Sequence, residues 1–179
     1  MENFCEITFC QQIGSNKRHN QDALFNGEAV FQYKLKTAEI DQTTHKAKIL
    51  SVGDSRAYLI DAQGKWQQIT QDHSILSELL TDFSNKKEED FATIYGGVSS
   101  CLVADYSEFQ DKIFYQEIEI QQGESLLLCS DGLTDGLSAE VREKIWKQYD
   151  NDKSRLTVCR KLIAKQGFYD DLSVIICAF

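Results

Sequence analysis

The chain has 179 residues, 42% of them hydrophobic, enough for one domain with a real core. Its formal charge of −9 would repel a phosphate backbone, which argues against a nucleic-acid partner and for cations. The longest apolar runs fall far short of a membrane span, and the N-terminus lacks the basic-then-apolar layout of a signal peptide, so a cytoplasmic protein with no membrane contact is expected.

Strand signals dominate. Alternating or continuous apolar runs predict strands over residues 4–9, 23–31, 48–52, 57–60, 113–120, 126–129 and 172–179. In "LIDAQGKW" Gly64 can supply the positive φ of a hairpin turn. Three helices stand against these strands. Ile75, Leu76, Leu79, Leu80 and Phe83 share one helical face, as do Val141, Ile145, Trp146 and Tyr149, then Leu156, Cys159, Leu162 and Ile163. Ser74, Ser138 and Ser154 suit their N-caps, and Gly167 suits the last C-terminus. The run "DFSNKKEED" reads as a charged surface connection, and neither a repeat nor a Gly/Ser linker divides the chain. Six cysteines form no C-x-x-C pair and sit mostly in apolar segments, where reduced thiols serve as small hydrophobes.

Several apolar runs end beside aspartate. Asp54 lies between two strands in "ILSVGDSRAYLI", Asp131 and Asp135 follow a strand in "LLLCSDGLTD", Asp170 and Asp171 precede one in "GFYDDLSVIICAF", and Asp22 closes "GSNKRHNQD". Each alone is ordinary turn chemistry. Gathered at one sheet edge, they would repel one another unless a cation neutralised them. Hard oxygen donors of this kind suit Mg²⁺ or Mn²⁺ better than zinc. Arg18 offers a planar fork for phosphate, which counts only beside such a metal site, and His73 in "TQDHS" reads more readily as a turn histidine than as a catalyst.

In order, "GSNKRHNQDA", "SVGDSRAYLID", "QITQDHSI", "GESLLLCSDGLTDGLS" and "YDDLSVIICAF" resemble the motif series of the type 2C metal-dependent serine/threonine protein phosphatases, bacterial branch. The resemblance spans almost the whole chain. It implies an α+β fold, a two-sheet antiparallel β-sandwich flanked by helices, with Mn²⁺ or Mg²⁺ activating the water that hydrolyses phosphoserine or phosphothreonine in a protein substrate. It assigns Arg18 to phosphate binding and Asp22 to orienting that water. Asp131 and Asp170 become ligands of the core metal site, and Asp54 and Asp135 ligands of a looser ion. Gln21 falls where many members carry a glutamate that reaches the second metal through water, and Asp171 stands where asparagine is usual, both beside the ligands.

One block departs from the pattern. Family members follow the "VF" strand with Asp-Gly-x-Gly-Gly, whose aspartate bridges two metals, and then with a pair of long helices. Here "EAVFQ" passes directly into "YKLKTAEIDQTTHKAKILSVGD", which reads as the strand pair expected after those helices. One domain over residues 1–179 is therefore expected, with an internal deletion between about 31 and 47 that removes the bridging ligand and about sixty residues of helix. Activity should be impaired, and a pseudophosphatase that binds or regulates a partner is the alternative. Residues 49–52 and 57–60 read as strands apolar on both faces, so loss of the helices should leave an apolar patch for a second copy or a partner to cover.

Overall fold

The computed structural model describes residues 5–20, 24–25, 30–31, 37–41, 45–73 and 113–179. Ten strands and three helices lie within them. In chain order they are β1 (Glu6–Gln12), β2 (Leu24–Phe25), β3 (Val30–Phe31), β4 (Thr37–Asp41), β5 (Lys46–Ser51), β6 (Arg56–Ile60), β7 (Trp66–Gln68), β8 (Phe114–Glu119) and β9 (Ser125–Cys129). The helices α1 (Asp131–Gly136), α2 (Ala139–Gln148) and α3 (Asp152–Ala164) come next, and β10 (Leu172–Ala178) closes the chain. The helix expected around residues 75–83, its Ser74 cap and the charged connection after it lie outside the described residues.

A five-stranded sheet in the order β1-β10-β9-β6-β7 and a three-stranded sheet in the order β4-β5-β8 make up the sandwich, and β2 and β3 form a separate ribbon. All pairings are antiparallel. Ala47 and Ile49 of β5 meet Ala57, Leu126 and Cys177 of the larger sheet in the core between the sheets. On the other face of the larger sheet, Tyr58, Ile60, Leu127, Val174 and Ile176 pack against Leu133, Ile145, Trp146, Leu156 and Ile163 of the helices. The central strands β9, β6 and β10 are thus covered on both faces, which is why they read as unbroken apolar runs.

The helices begin and end where local chemistry dictates. Ser138 accepts a hydrogen bond from Val141 N and caps α2. The cap of α3 is Asn151, whose Oδ1 accepts from Ser154 N at 2.9 Å, and not Ser154 as expected. Ser154 sits at the third helical position, where its N–H is one of the donors a cap must satisfy. Gly167 takes φ +79° after α3, and Gly64 takes φ +77° in the β6–β7 turn, where Asp61 Oδ1 accepts from Gln63 N and Lys65 N.

The expectation that the strand at 49–52 is apolar on both faces needs correction. Along β5 burial alternates strictly: Ala47, Ile49 and Ser51 point inward, while Lys46, Lys48 and Leu50 are exposed. The register sets Lys46 opposite Glu119, Lys48 opposite Glu117 and Leu50 opposite Tyr115, all exposed residues. Opposed charges on one sheet face are a solvent-compatible pattern. Within the described strands, the apolar part of this face is limited to Leu50, Tyr115 and neighbouring Ile113.

The five described cysteines, Cys5, Cys10, Cys129, Cys159 and Cys177, are free, and all but Cys5 are buried. Burial pushes the Cys159 and Cys177 thiols up to about 12, so they stay protonated and serve as core residues. No helix among the described residues is long and apolar enough to cross a membrane.

Candidate functional site

The carboxylates collect at one end of the larger sheet because β9 and β10 are locked there by Ser130. Ser130 N donates to Ser173 O at 3.0 Å, its Oγ accepts from Ser173 N at 3.0 Å, and the same hydroxyl donates to Asp171 O at 3.3 Å. Ser130 spends its side chain on this cross-strand clamp and makes no capping bond to α1. Asp131 therefore opens α1 directly beside Asp171. Gly132 makes the approach feasible: a Cβ there would lie 2.0 Å from Asp171 O.

On the other side of Asp171, the loop after β1 crosses over. Gly14 N donates to Asp171 Oδ1 at 2.7 Å, and Lys17 Nζ reaches Asp171 Oδ2 at 3.3 Å while also pairing with Asp170 Oδ1. Asp171 is 1% exposed, and its carboxylate ties the loop to the start of β10. Asp170 itself remains exposed. Burial works against charge on Lys17, but the bonds to Asp170 and Asp171 outweigh it and raise its pKa.

Asp54 sits in the β5–β6 connection, where the chain passes from one sheet to the other. Gly53 turns this corner at φ +101°. Gly53 N donates to His73 Nδ1 at 3.1 Å, and His73 N donates back to Gly53 O at 2.9 Å. His73 is thus a clamp on the turn that carries Asp54, in line with its reading as a turn histidine. Next along, Arg56 makes a two-pronged bond to Asp72, with Nε 3.0 and 2.9 Å from its two oxygens.

The electrostatics of Asp135 place these groups in one neighbourhood. Loss of solvation raises its pKa, Arg56 opposes the shift, and Asp54, Asp170 and Asp72 add to it. A raised carboxyl pKa means that the fold disfavours the charged form. The associated penalty is absent below the unfolded pKa and grows as pH rises through the folded one. Asp135→Asn is therefore expected to raise the metal-free melting temperature at neutral pH by about 1–2 °C, a gain that disappears at about pH 3. Thermal melts at the two pH values check this, and a variant less stable than wild type at neutral pH would refute it.

The donor set fits a hard divalent cation in kind, since it is all carboxylate oxygen under mutual repulsion. Among the described residues, no three His, Cys, Asp or Glu side chains converge closely enough to hold an ion. Asp22 and Gln21 lie outside the described residues. Arg18 is exposed and has no hydrogen bond or ion pair to a described residue; the basic groups at the cluster are Lys17 and Arg56. Reading the sequence alone missed both. The signal for Lys17 was its place three residues after the crossing glycine, Gly14.

No family model matches the chain. The serine/threonine phosphatase Stp of Listeria innocua is 30% identical over 128 residues, covering 72% of this chain and 50% of that protein. The chain thus spans about half the length of this curated relative. The structure of the S. agalactiae serine/threonine phosphatase superposes with a TM-score of 0.70 at 15% identity, covering 98% of this chain and 99% of that one. The catalytic domain of the serine/threonine protein phosphatase PstP, solved in complex with two manganese ions, gives a TM-score of 0.54 at 24% identity over 75% of this chain and 54% of that one.

Proposed function

This chain belongs to the family of bacterial metal-dependent serine/threonine protein phosphatases, and from that membership we propose that it hydrolyses phosphoserine and phosphothreonine in cytoplasmic protein substrates. The observation that supports this best is that Asp131 opens α1 at the end of β9, against the start of β10 where Asp170 and Asp171 stand, with Gly132 pressed onto Asp171 O. A bound Mn²⁺ or Mg²⁺ would supply an activated water and neutralise phosphoryl charge. Asp131 and Asp170 would hold one ion, and Asp54 with Asp135 a looser one. Asp22 would orient the attacking water, with Gln21 and Asp171 beside the ligands. Arg18, which is exposed, would bind a phosphate oxygen.

The same reading makes the activity weak. Only residues 32–36, QYKLK, separate β3 from β4; they are too few for a helix pair and hold no aspartate to act as the bridging carboxylate of the family pattern. We take residues 1–179 as one domain with a deletion between about 31 and 47. A two-metal site without its bridge loses charge stabilisation worth several kcal/mol, on the order of a thousandfold in rate. The missing Asp-Gly-x-Gly-Gly block favours a second reading, a pseudophosphatase that binds a partner, another copy of the chain included, through the Leu50–Tyr115–Ile113 corner of the smaller sheet.

A phosphopeptide assay with Mn²⁺ separates the two. Slow release of phosphate, below about one turnover per second, that requires Mn²⁺ and vanishes in Asp131→Asn supports the enzyme. Release that is Mn²⁺-independent, or unchanged in Asp131→Asn, counts against it. Metal binding with no turnover favours the pseudophosphatase.

A further inference from the structure

We infer that Lys17 is a tethered counter-ion of the carboxylate cluster, which a divalent cation must displace from Asp170 in order to bind. The inference rests on the proposed metal-binding role of Asp170, and concerns how that site is held before metal arrives.

Three observations carry it. Lys17 Nζ pairs with Asp170 Oδ1, on the carboxylate assigned to the core metal, so lysine and metal are rivals for one side chain. Lys17 also has a second anchor that no metal needs to take: Asp171 Oδ2, 3.3 Å away on a side chain only 2% exposed. Finally, the loop that carries Lys17 is itself pinned, since Gly14 N donates to Asp171 Oδ1 and Ser15 N donates to Tyr169 O at 3.0 Å. The backbone that carries Lys17 is therefore held against the start of β10. When the Asp170 contact is given up, Lys17 can stay on Asp171, so the exchange leaves the loop in place.

Arg56 does not play the same part. It is engaged by both oxygens of Asp72, a residue outside the proposed ligand set. The two cations thus divide the work: Arg56 holds Asp72, and Lys17 holds Asp170 until a divalent cation arrives. This division predicts that metal affinity is set partly by a residue that ligates nothing.

Mn²⁺ titrated calorimetrically into metal-free wild type and Lys17→Met tests the idea. Lys17→Met is expected to bind about three- to tenfold more tightly, as suits loss of a partly exposed competing ion pair, and to melt lower without metal. Equal or weaker binding by a folded Lys17→Met, with wild type binding normally, would overturn the inference while leaving the phosphatase reading intact. Absence of Mn²⁺ binding to both proteins would instead overturn the metal site and the inference with it. A second measurement needs no variant. In wild type carrying labelled lysine, addition of diamagnetic Mg²⁺ should move the Lys17 side-chain resonances; saturation with Mg²⁺ that leaves them unmoved excludes displacement.

Discussion

Gly132→Ala is expected to destabilise the chain by about 3 kcal/mol or more, lowering the melting temperature by about 10 °C. A Cβ at this position would fall 2.0 Å from Asp171 O, 2.8 Å from Asp171 C and 3.3 Å from Leu172 Cα. All three are backbone atoms at the start of β10, held by its pairing with β1 and by the Ser130 hydroxyl, so no side chain can swing aside to make room. Either α1 or the start of β10 must move. Because Asp131 is the residue before Gly132 and Asp170 the residue before Asp171, any such movement separates the two carboxylates proposed to share the core metal. The variant should therefore lose Mn²⁺-induced thermal stabilisation as well as stability. Gly167→Ala is the control: it also replaces a glycine, but at φ +79° with nothing within 4 Å of the new Cβ, so its cost should stay near 1 kcal/mol. Melts followed by circular dichroism, with and without Mn²⁺, decide the matter. A Gly132→Ala protein that melts within about 2 °C of wild type would show that the close approach is not required.

This glycine also shows where sequence reading reaches its limit. The run "LLLCSDGLTDG" reads as a strand ending in a glycine turn, and β9 does end at Cys129. Instead of a turn, the chain then enters the short helix α1, which the pattern did not suggest because Asp and Gly are poor helix formers. Its formation is a tertiary effect, since Leu133 is fully buried against the larger sheet. The longer elements were legible because burial imposes period. Val141, Ile145 and Trp146 line one side of α2, and Leu156, Cys159 and Ile163 one side of α3. Face assignment failed on β5, where "KAKILS" hides its alternation because Leu50, an apolar residue, occupies an exposed position beside Lys48. At the site, the aspartates were visible from their positions at strand ends. That Lys17 would meet them was not, because adjacent residues in a loop point to different places and no periodicity says which. The crossing of Gly14 over residues 169–171 brings Lys17 to Asp170 and Asp171, and that contact is more than 150 residues distant in sequence.

Asp171→Ala should cost about 3 kcal/mol, while Asp171→Asn should cost about 1 kcal/mol or less. The difference comes from the bonds the carboxylate makes. Its Oδ1 accepts from Gly14 N at 2.7 Å in a buried setting, a bond that an asparagine carbonyl can keep. Its Oδ2 faces Lys17, and that half of the interaction is lost in both variants. Alanine leaves Gly14 N–H buried without its acceptor and frees the loop that carries Lys17, whereas asparagine leaves the loop seated. Function should divide along the same line. With asparagine, Lys17 loses its second anchor and depends on Asp170 alone, so metal and lysine compete more directly for that carboxylate and Mn²⁺ affinity should fall by about two- to fivefold. With alanine, the loop after β1 detaches from β10, Asp170 loses its fixed neighbour, and Mn²⁺ binding should weaken by tenfold or more, as about 1.4 kcal/mol of lost preorganisation requires. Urea unfolding and calorimetric Mn²⁺ titration on both variants measure the two effects independently. If Asp171→Asn proved as destabilising as Asp171→Ala, the Gly14 bond would not be the main role of this side chain, and the ion pair with Lys17 would have to carry the stability instead.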